Sequence, residues 1–236
     1  MNRGKKIISC VYCSIEISKK IGNETKDHVP PQCFYETPYP PNLITVPSCF
    51  DCNNTEYSIL DETIKIFFLM RDDVNASQNF KGLVGSVIRA FTKGTPQWEK
   101  FYKEIVTDKE GRRGFKMTED KLKQIEKFII RLIKGFHYYE TKKIVPKEIS
   151  FQGFQDTAFD NLAFNSKQLF SNIYVALNDL PLKDVSKAIK YRFKYYSDNQ
   201  INHSIWHVRL FDVIGFYLIL VNTKYFDAQK TQPVIL

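Results

Sequence analysis

Residues 42–54 read NLITVPSCFDCNN. An apolar, β-branched run from Leu43 to Val46 leads into a C-x-x-C, Cys49 and Cys52, with Asn53 and Asn54 behind it. Such runs favour strands, so the stretch predicts a strand that ends in a tight cysteine turn. Upstream, Cys10 and Cys13 form a second C-x-x-C in CVYC, and Cys33 stands alone. Two knuckles, each offering two sulfurs from one turn, suit a tetrahedral Zn²⁺. A thioredoxin-type redox pair is the competing reading of a single C-x-x-C, and the second copy argues against it. Zinc closed in by four thiolates has no open coordination position, so it staples the fold and leaves chemistry to other residues. Cys33 is expected to be a small buried hydrophobe.

Between the knuckles lies KDHVPPQC, residues 26–33. Residues that precede proline avoid the helical region, so HVPP is expected to be extended. From Ser58 onward, SILDETIKIFFLMRDD places apolar residues at helical spacing behind a serine cap, with acids in the first turn. Two strands and a helix clamped by zinc are predicted. Asp27 and His28 are neighbours, and on a strand their side chains point to opposite faces. Serving one phosphate together would need a local bend, which Pro30 and Pro31 could help to fix. Taken singly, each residue has a plain alternative: His28 a loop histidine, Asp27 a turn cap, Asn42 a turn residue, Asn53 a cap of the helix or knuckle.

CVYC, DHVPP, NLITVPSC and CFDCNN, in that order, resemble the HNH endonucleases, whose core is the ββα-metal fold. They are most similar to the subset stapled by a four-cysteine zinc, here Cys10, Cys13, Cys49 and Cys52. The resemblance covers roughly residues 8–70. It implies that His28 is the general base and that Asp27 is a ligand of a catalytic Mg²⁺ or Mn²⁺. It implies that Asn42 holds the loop and base by hydrogen bonds, and that Asn53 completes the ion's protein ligation. This last position is Asn or His in the family, and an amide oxygen is a good ligand for a hard cation. Asn54, Glu56 and Glu62 compete for the same role. The implied reaction is metal-dependent phosphodiester hydrolysis leaving a 5′-phosphate and a 3′-hydroxyl. Histidine suits the base because it accepts a proton near neutral pH.

Charge is unevenly placed along the 236 residues. Residues 1–72 carry 8 Lys/Arg against 9 Asp/Glu, residues 73–145 carry 16 against 9, and residues 146–236 carry 10 against 8. A basic middle beside a neutral start suits a nucleic-acid partner; solvated lysine-rich helix faces are the alternative. At 43% hydrophobic residues the chain can bury a core. No secretory signal is visible, and VIGFYLILV, residues 213–221, is too short to span a bilayer as a helix. A soluble, cytoplasmic protein without a membrane partner is expected.

The expected fold class is α+β: an HNH module over residues 1–72, then a helical and β region over residues 73–236 for substrate or partner. Helices are read at 77–106 and, most clearly, in TEDKLKQIEKFIIRLIKGFHYYETKK. Thr118 caps the latter; Leu122, Ile125, Phe128, Ile129, Leu132, Ile133 and Phe136 form its apolar face. Lys121, Lys123, Lys127, Arg131 and Lys134 are read as mostly facing away, and Gly135 as a point of loosening. Arg112 and Arg113 are phosphate-contact or hairpin-tip candidates. AIKYRFKYYS, SIWHVRLFDV and GFYLILV suggest an antiparallel sheet in which His203 and His207 are structural. The functional expectation is a DNA-cleaving HNH endonuclease, DNA being favoured over RNA, in restriction or phage defence. The alternatives are an inactive zinc nucleic-acid-binding module and a nuclease subunit that acts only with a partner ATPase.

Overall fold

In a computed structural model of the chain the described residues are 8–18, 21–35, 37–69, 92, 103–107, 109, 111, 113–115, 117–147, 149–155, 164–186, 189–198 and 201–222. The chain divides into two compact units, Met1–Asp72 with Lys81–Val145, and Asp73–Phe80 with Pro146–Leu236. The first unit thus runs well past the boundary expected after residue 72.

In the N-terminal unit, β1 (Ile8–Ser9) and β2 (Glu16–Ile17) pair on either side of the first cysteine turn. Strands β3 (Glu24–Val29) and β4 (Ile44–Cys49) form an antiparallel hairpin in which Asp27 faces Val46 and His28 faces Thr45. The backbone N–H of Val11 donates to the carbonyl of Pro47 (3.0 Å), tying the first knuckle to β4. After Cys49 the chain turns at once into wide π-helical turns, Asp51–Tyr57, that continue as α1 (Ser58–Leu69). Ser58 is therefore not the expected cap. It sits inside a helical run and its hydroxyl donates back to the Asn54 carbonyl (2.7 Å), as mid-helix serines do. The knuckle starts the helix seven residues before the local cap signal.

Helix α2 (Glu119–Thr141) begins at Thr118, whose hydroxyl accepts from the Lys121 N–H. It ends at Lys142, which adopts a left-handed conformation (φ 58°). Its apolar stripe behaves as expected: Phe128, Ile129, Leu132, Ile133 and Phe136 are buried. Phe128 meets Phe34 and Phe68 with ring centroids 5.5 and 6.3 Å apart, and Phe34 meets Phe68 at 6.2 Å. This trio joins the loop after β3, α1 and α2 into one core, which explains why the unit includes α2.

Three of the five basic residues of α2 depart from expectation. Arg131 is 1% exposed and Lys121 8% exposed. Lys121 pairs with Glu104 (2.9 Å), Lys123 with Glu119 (2.7 Å) and Lys127 with Glu56 (2.6 Å). Lys134 donates to the Tyr12 carbonyl (3.1 Å). Arg131, Lys121 and Lys134 are thus used inside the unit, whereas Lys123 and Lys127 face away as expected, in exposed ion pairs.

Gly135 does not loosen α2, which continues through it. A Cβ built there would lie 2.6 Å from Val29 Cγ2 and 2.7 Å from Cγ1, and Val29 is itself 1% exposed. Glycine is what lets the helix approach β3. Gly135→Ala is expected to destabilise the unit by about 1–2 kcal/mol in denaturant unfolding, since overpacking of about 1–3 kcal/mol outweighs alanine's gain in helix propensity of about 1 kcal/mol.

A short hairpin, β5 (Ile105–Thr107) with β6 (Arg113–Phe115), completes the described part of this unit. Ile105 and Val106 are thus in a strand where a helix end was expected. Apart from Thr92, Lys103 and Glu104, the rest of the 77–106 stretch lies outside the described residues, as do Arg112 and the Arg113 side chain.

The C-terminal unit holds a five-stranded antiparallel sheet in the order β7 (Ile149–Gln155), β11 (Ile214–Asn222), β10 (Ile201–Leu210), β9 (Ile189–Asp198), β8 (Lys183–Asp184). Helix α3 (Phe164–Asn178) lays Phe170, Ile173 and Leu177 on Ile205, Tyr217 and Ile219. Alternation on β9 sends Tyr191 and Phe193 to the other face, where Phe193 stacks on Trp206 (4.6 Å). Arg192 is buried, donating to His207 Nδ1 (3.0 Å) and to the Asn178 carbonyl (2.8 Å). His207 stacks on Tyr217 (4.1 Å). Burial first, then Arg192 and Arg209, push His207 down to about 3, so it is neutral at neutral pH. Both it and His203, which stacks on Tyr196 (4.8 Å), pack as structural residues. No helix among the described residues is long and apolar enough to cross a membrane.

Candidate metal centre

The two knuckles meet. The Sγ atoms of Cys10, Cys13, Cys49 and Cys52 all lie within 4.8 Å of one another, and Cys13 and Cys49 are 3.8 Å apart. A tetrahedral zinc with Zn–S bonds of about 2.3 Å requires sulfurs about 3.8 Å apart, so the four fit that ion. No disulfide joins them, and Cys33 stands outside the group. Each knuckle is shaped by backbone–sulfur geometry: Ser14 turns left-handed (φ 65°) just after the first, and the Cys52 N–H donates to Cys49 Sγ (3.4 Å) in the second.

Electrostatics explain why the cluster suits a cation. Burial pushes the Cys52 thiol up, and Cys49, Cys10 and Cys13 push it further. Cys13 is raised by burial as well. Burial also works against the Cys10 thiolate, but hydrogen bonds from the backbone at Cys13, Cys49 and Tyr12 together bring it below the usual thiol value. Crowded thiolates repel, and a doubly charged ion at their centre relieves that repulsion.

The strand that carries His28 divides its side chains between two environments. His28 is half-buried, with Nε2 3.2 Å from the Gln32 amide nitrogen. An amide nitrogen donates, so Nε2 is the acceptor and Nδ1 holds the proton. Burial lowers the imidazole below the usual histidine value, partly offset by the charge of Asp27. The ring is neutral at neutral pH, the state a general base needs.

Asp27 faces inward, 4% exposed. Arg131 Nη2 lies 2.7 Å from both carboxylate oxygens and Nε lies 3.1 Å from Oδ2. The Tyr12 hydroxyl donates to Oδ2 at 2.5 Å. Arg131 also pairs with Asp61, and its guanidinium stacks over the Tyr57 ring (4.4 Å). Burial disfavours the guanidinium's charge, but Asp61 and Asp27 outweigh it and raise Arg131. One guanidinium cannot neutralise two buried carboxylates. Burial accordingly pushes Asp61 up to about 7, against the pull of Arg131 and with the help of Asp27.

The sequence-predicted donors for a catalytic ion are therefore not assembled. Asp27, expected as an ion ligand, has both oxygens committed to Arg131 and Tyr12. Asn42 is exposed in the turn before β4, beyond the Val29–Ile44 pair. Asn53 Nδ2 donates to Thr25 Oγ1 and to the Lys26 carbonyl, both at 3.2 Å. It braces β3 as a linker, with its oxygen the one atom suited to a cation. Among the competitors, Glu56 pairs with Lys127 and Glu62 with Lys65 (2.8 Å), while Asn54 is exposed.

Tyr12, Asp61 and Arg131 escaped the sequence reading. A signal was present: Arg131 falls three residues after Phe128 and beside Leu132, inside the apolar stripe, and Asp61 follows Leu60 inside the stripe of α1. Two opposite charges embedded in apolar faces are candidates for each other. Compared with known proteins, the chain matches no family model, no curated protein and no solved structure.

Proposed function

We propose that the N-terminal unit is a zinc-stapled HNH-type module of ββα-metal fold that hydrolyses phosphodiester bonds, in DNA rather than RNA, with His28 as general base. The observation that carries this reading is the placement of a neutral, half-buried imidazole on a strand hairpin that runs directly into a helix through the cysteine cluster. His28 would accept the proton of an attacking water at Nε2 once the Gln32 amide gives up its hydrogen bond to that nitrogen. Asn53 holds the His28 strand to the knuckle through Thr25 and Lys26. A hard divalent ion, Mg²⁺ or Mn²⁺, would supply charge stabilisation at the phosphate in this chemistry, but with Asp27 committed to Arg131 its donor set is incomplete.

That commitment favours a second reading, a nucleic-acid-binding module that does not cleave. Supercoiled plasmid incubated with the full chain, with Mg²⁺, with Mn²⁺ or with neither, separates the two. Ion-dependent nicking that falls at least about 100-fold in His28→Ala, the usual worth of a positioned base, is expected from the nuclease. Retained but intact plasmid under both ions supports the binding module, and nicking unchanged in His28→Ala removes His28 from the reaction.

A further inference from the structure

We propose that Lys134, delivered by α2, is the charge partner of the four-thiolate zinc centre and holds the metal in place. Four thiolates around one Zn²⁺ leave a net charge of about −2, and Cys10, Cys49 and Cys52 are 0, 2 and 5% exposed. A charge so buried calls for a cation or strong donors close by.

The ammonium of Lys134 donates to the carbonyl of Tyr12, the residue that separates Cys13 from Val11 inside the first knuckle, at 3.1 Å. Its side chain also lines a cavity of about 420 Å³ whose wall includes Cys13 from the first knuckle and Cys52 from the second. Lys123 and Lys127 border the same cavity, but Glu119 and Glu56 hold them in ion pairs of 2.7 and 2.6 Å. Lys134 is the cavity cation joined to a knuckle itself. It acts through the thiolates and not as a ligand, since ammonium has no lone pair to give. Outer partners of this kind commonly govern metal affinity as much as 10–100-fold. The contact also spans 122 residues, so it makes the docking of α2 and the retention of metal mutually supportive.

The inference rests on zinc at the four cysteines and is independent of any nuclease activity. The test uses the zinc-loaded full chain, without nucleic acid, and follows zinc transfer to the chromogenic chelator 4-(2-pyridylazo)resorcinol. Lys134→Met should lose zinc at least about 10-fold more readily than the parent. Lys134→Gln keeps a donor for the Tyr12 carbonyl without the charge and should also lose zinc readily, whereas Lys134→Arg should stay within about threefold of the parent. Lys127→Met, from the same cavity, should match the parent. Parental retention in Lys134→Gln, or equal loss in Lys127→Met, overturns the role of the Lys134 charge. Should Lys134→Met fail to fold, the Gln and Arg pair decides. A parent without zinc fails at the earlier step, the metal assignment, and takes this proposal with it.

Discussion

Arg131→Met is expected to destabilise the N-terminal unit by about 3–5 kcal/mol, the usual cost of removing one partner from a buried ion pair. Methionine fills much the same space, so the loss is electrostatic. It strands Asp27 and Asp61 in a core without their shared cation, when both are largely hidden from water. The pH dependence identifies the cause. Burial already holds Asp61 at about 7 with Arg131 present, and losing that cation raises it further above the unfolded value of about 3.9, so the native state binds more protons than the unfolded chain. Stability then falls as pH rises from about 4 through the raised value, and acidification from neutral pH partly restores the variant. A loss of stability with no such recovery would place the effect in packing instead. The triple variant Asp27→Leu, Asp61→Leu, Arg131→Met should be more stable than Arg131→Met alone, because replacing a whole buried ion network costs less than breaking it. Urea unfolding of the parent and both variants at neutral and mildly acidic pH provides the measurement.

Removing the metal is the second large effect. Structural zinc contributes apparent folding free energies of about 10–16 kcal/mol in small domains, as large as the whole stability of most domains, about 5–15 kcal/mol. Chelation is expected to unfold the N-terminal unit and leave the C-terminal sheet folded, because the latter has its own core of α3 against β10 and β11. Elemental analysis should find about one zinc per chain. Amide exchange after chelation should lose protection in β3, β4 and α2 and keep it in β9, β10 and β11. Protection retained in β3 and β4 without metal would remove the staple.

The parts legible in the sequence are those fixed by local rules. Cysteine spacing announces a knuckle because two ligands from one turn suffice to define it. The apolar stripe of α2 and the aromatic, β-branched runs of β9–β11 announce their elements because burial enforces their periods. What stayed hidden depends on distant partners. Arg131 reads as one more helix cation until Asp27, 104 residues away, is placed against it. Gly135 reads as a weak point until Val29 fills the space a side chain would need. Ser58 reads as a cap because serine prefers caps, yet the second knuckle had already set the helix going at Asp51. Strand alternation alone divides Asp27 and His28 between opposite faces. The sequence did not reveal that one of those faces belongs to α2.

The 104-residue span between Asp27 and Arg131 bears on how the chain comes off the ribosome. The hairpin and both knuckles emerge early, while the guanidinium that neutralises Asp27 is still many codons from synthesis. Until α2 is released, the nascent hairpin carries a carboxylate with no cation on the side destined for the interior. The buried ion network of the N-terminal unit therefore closes only when α2 arrives.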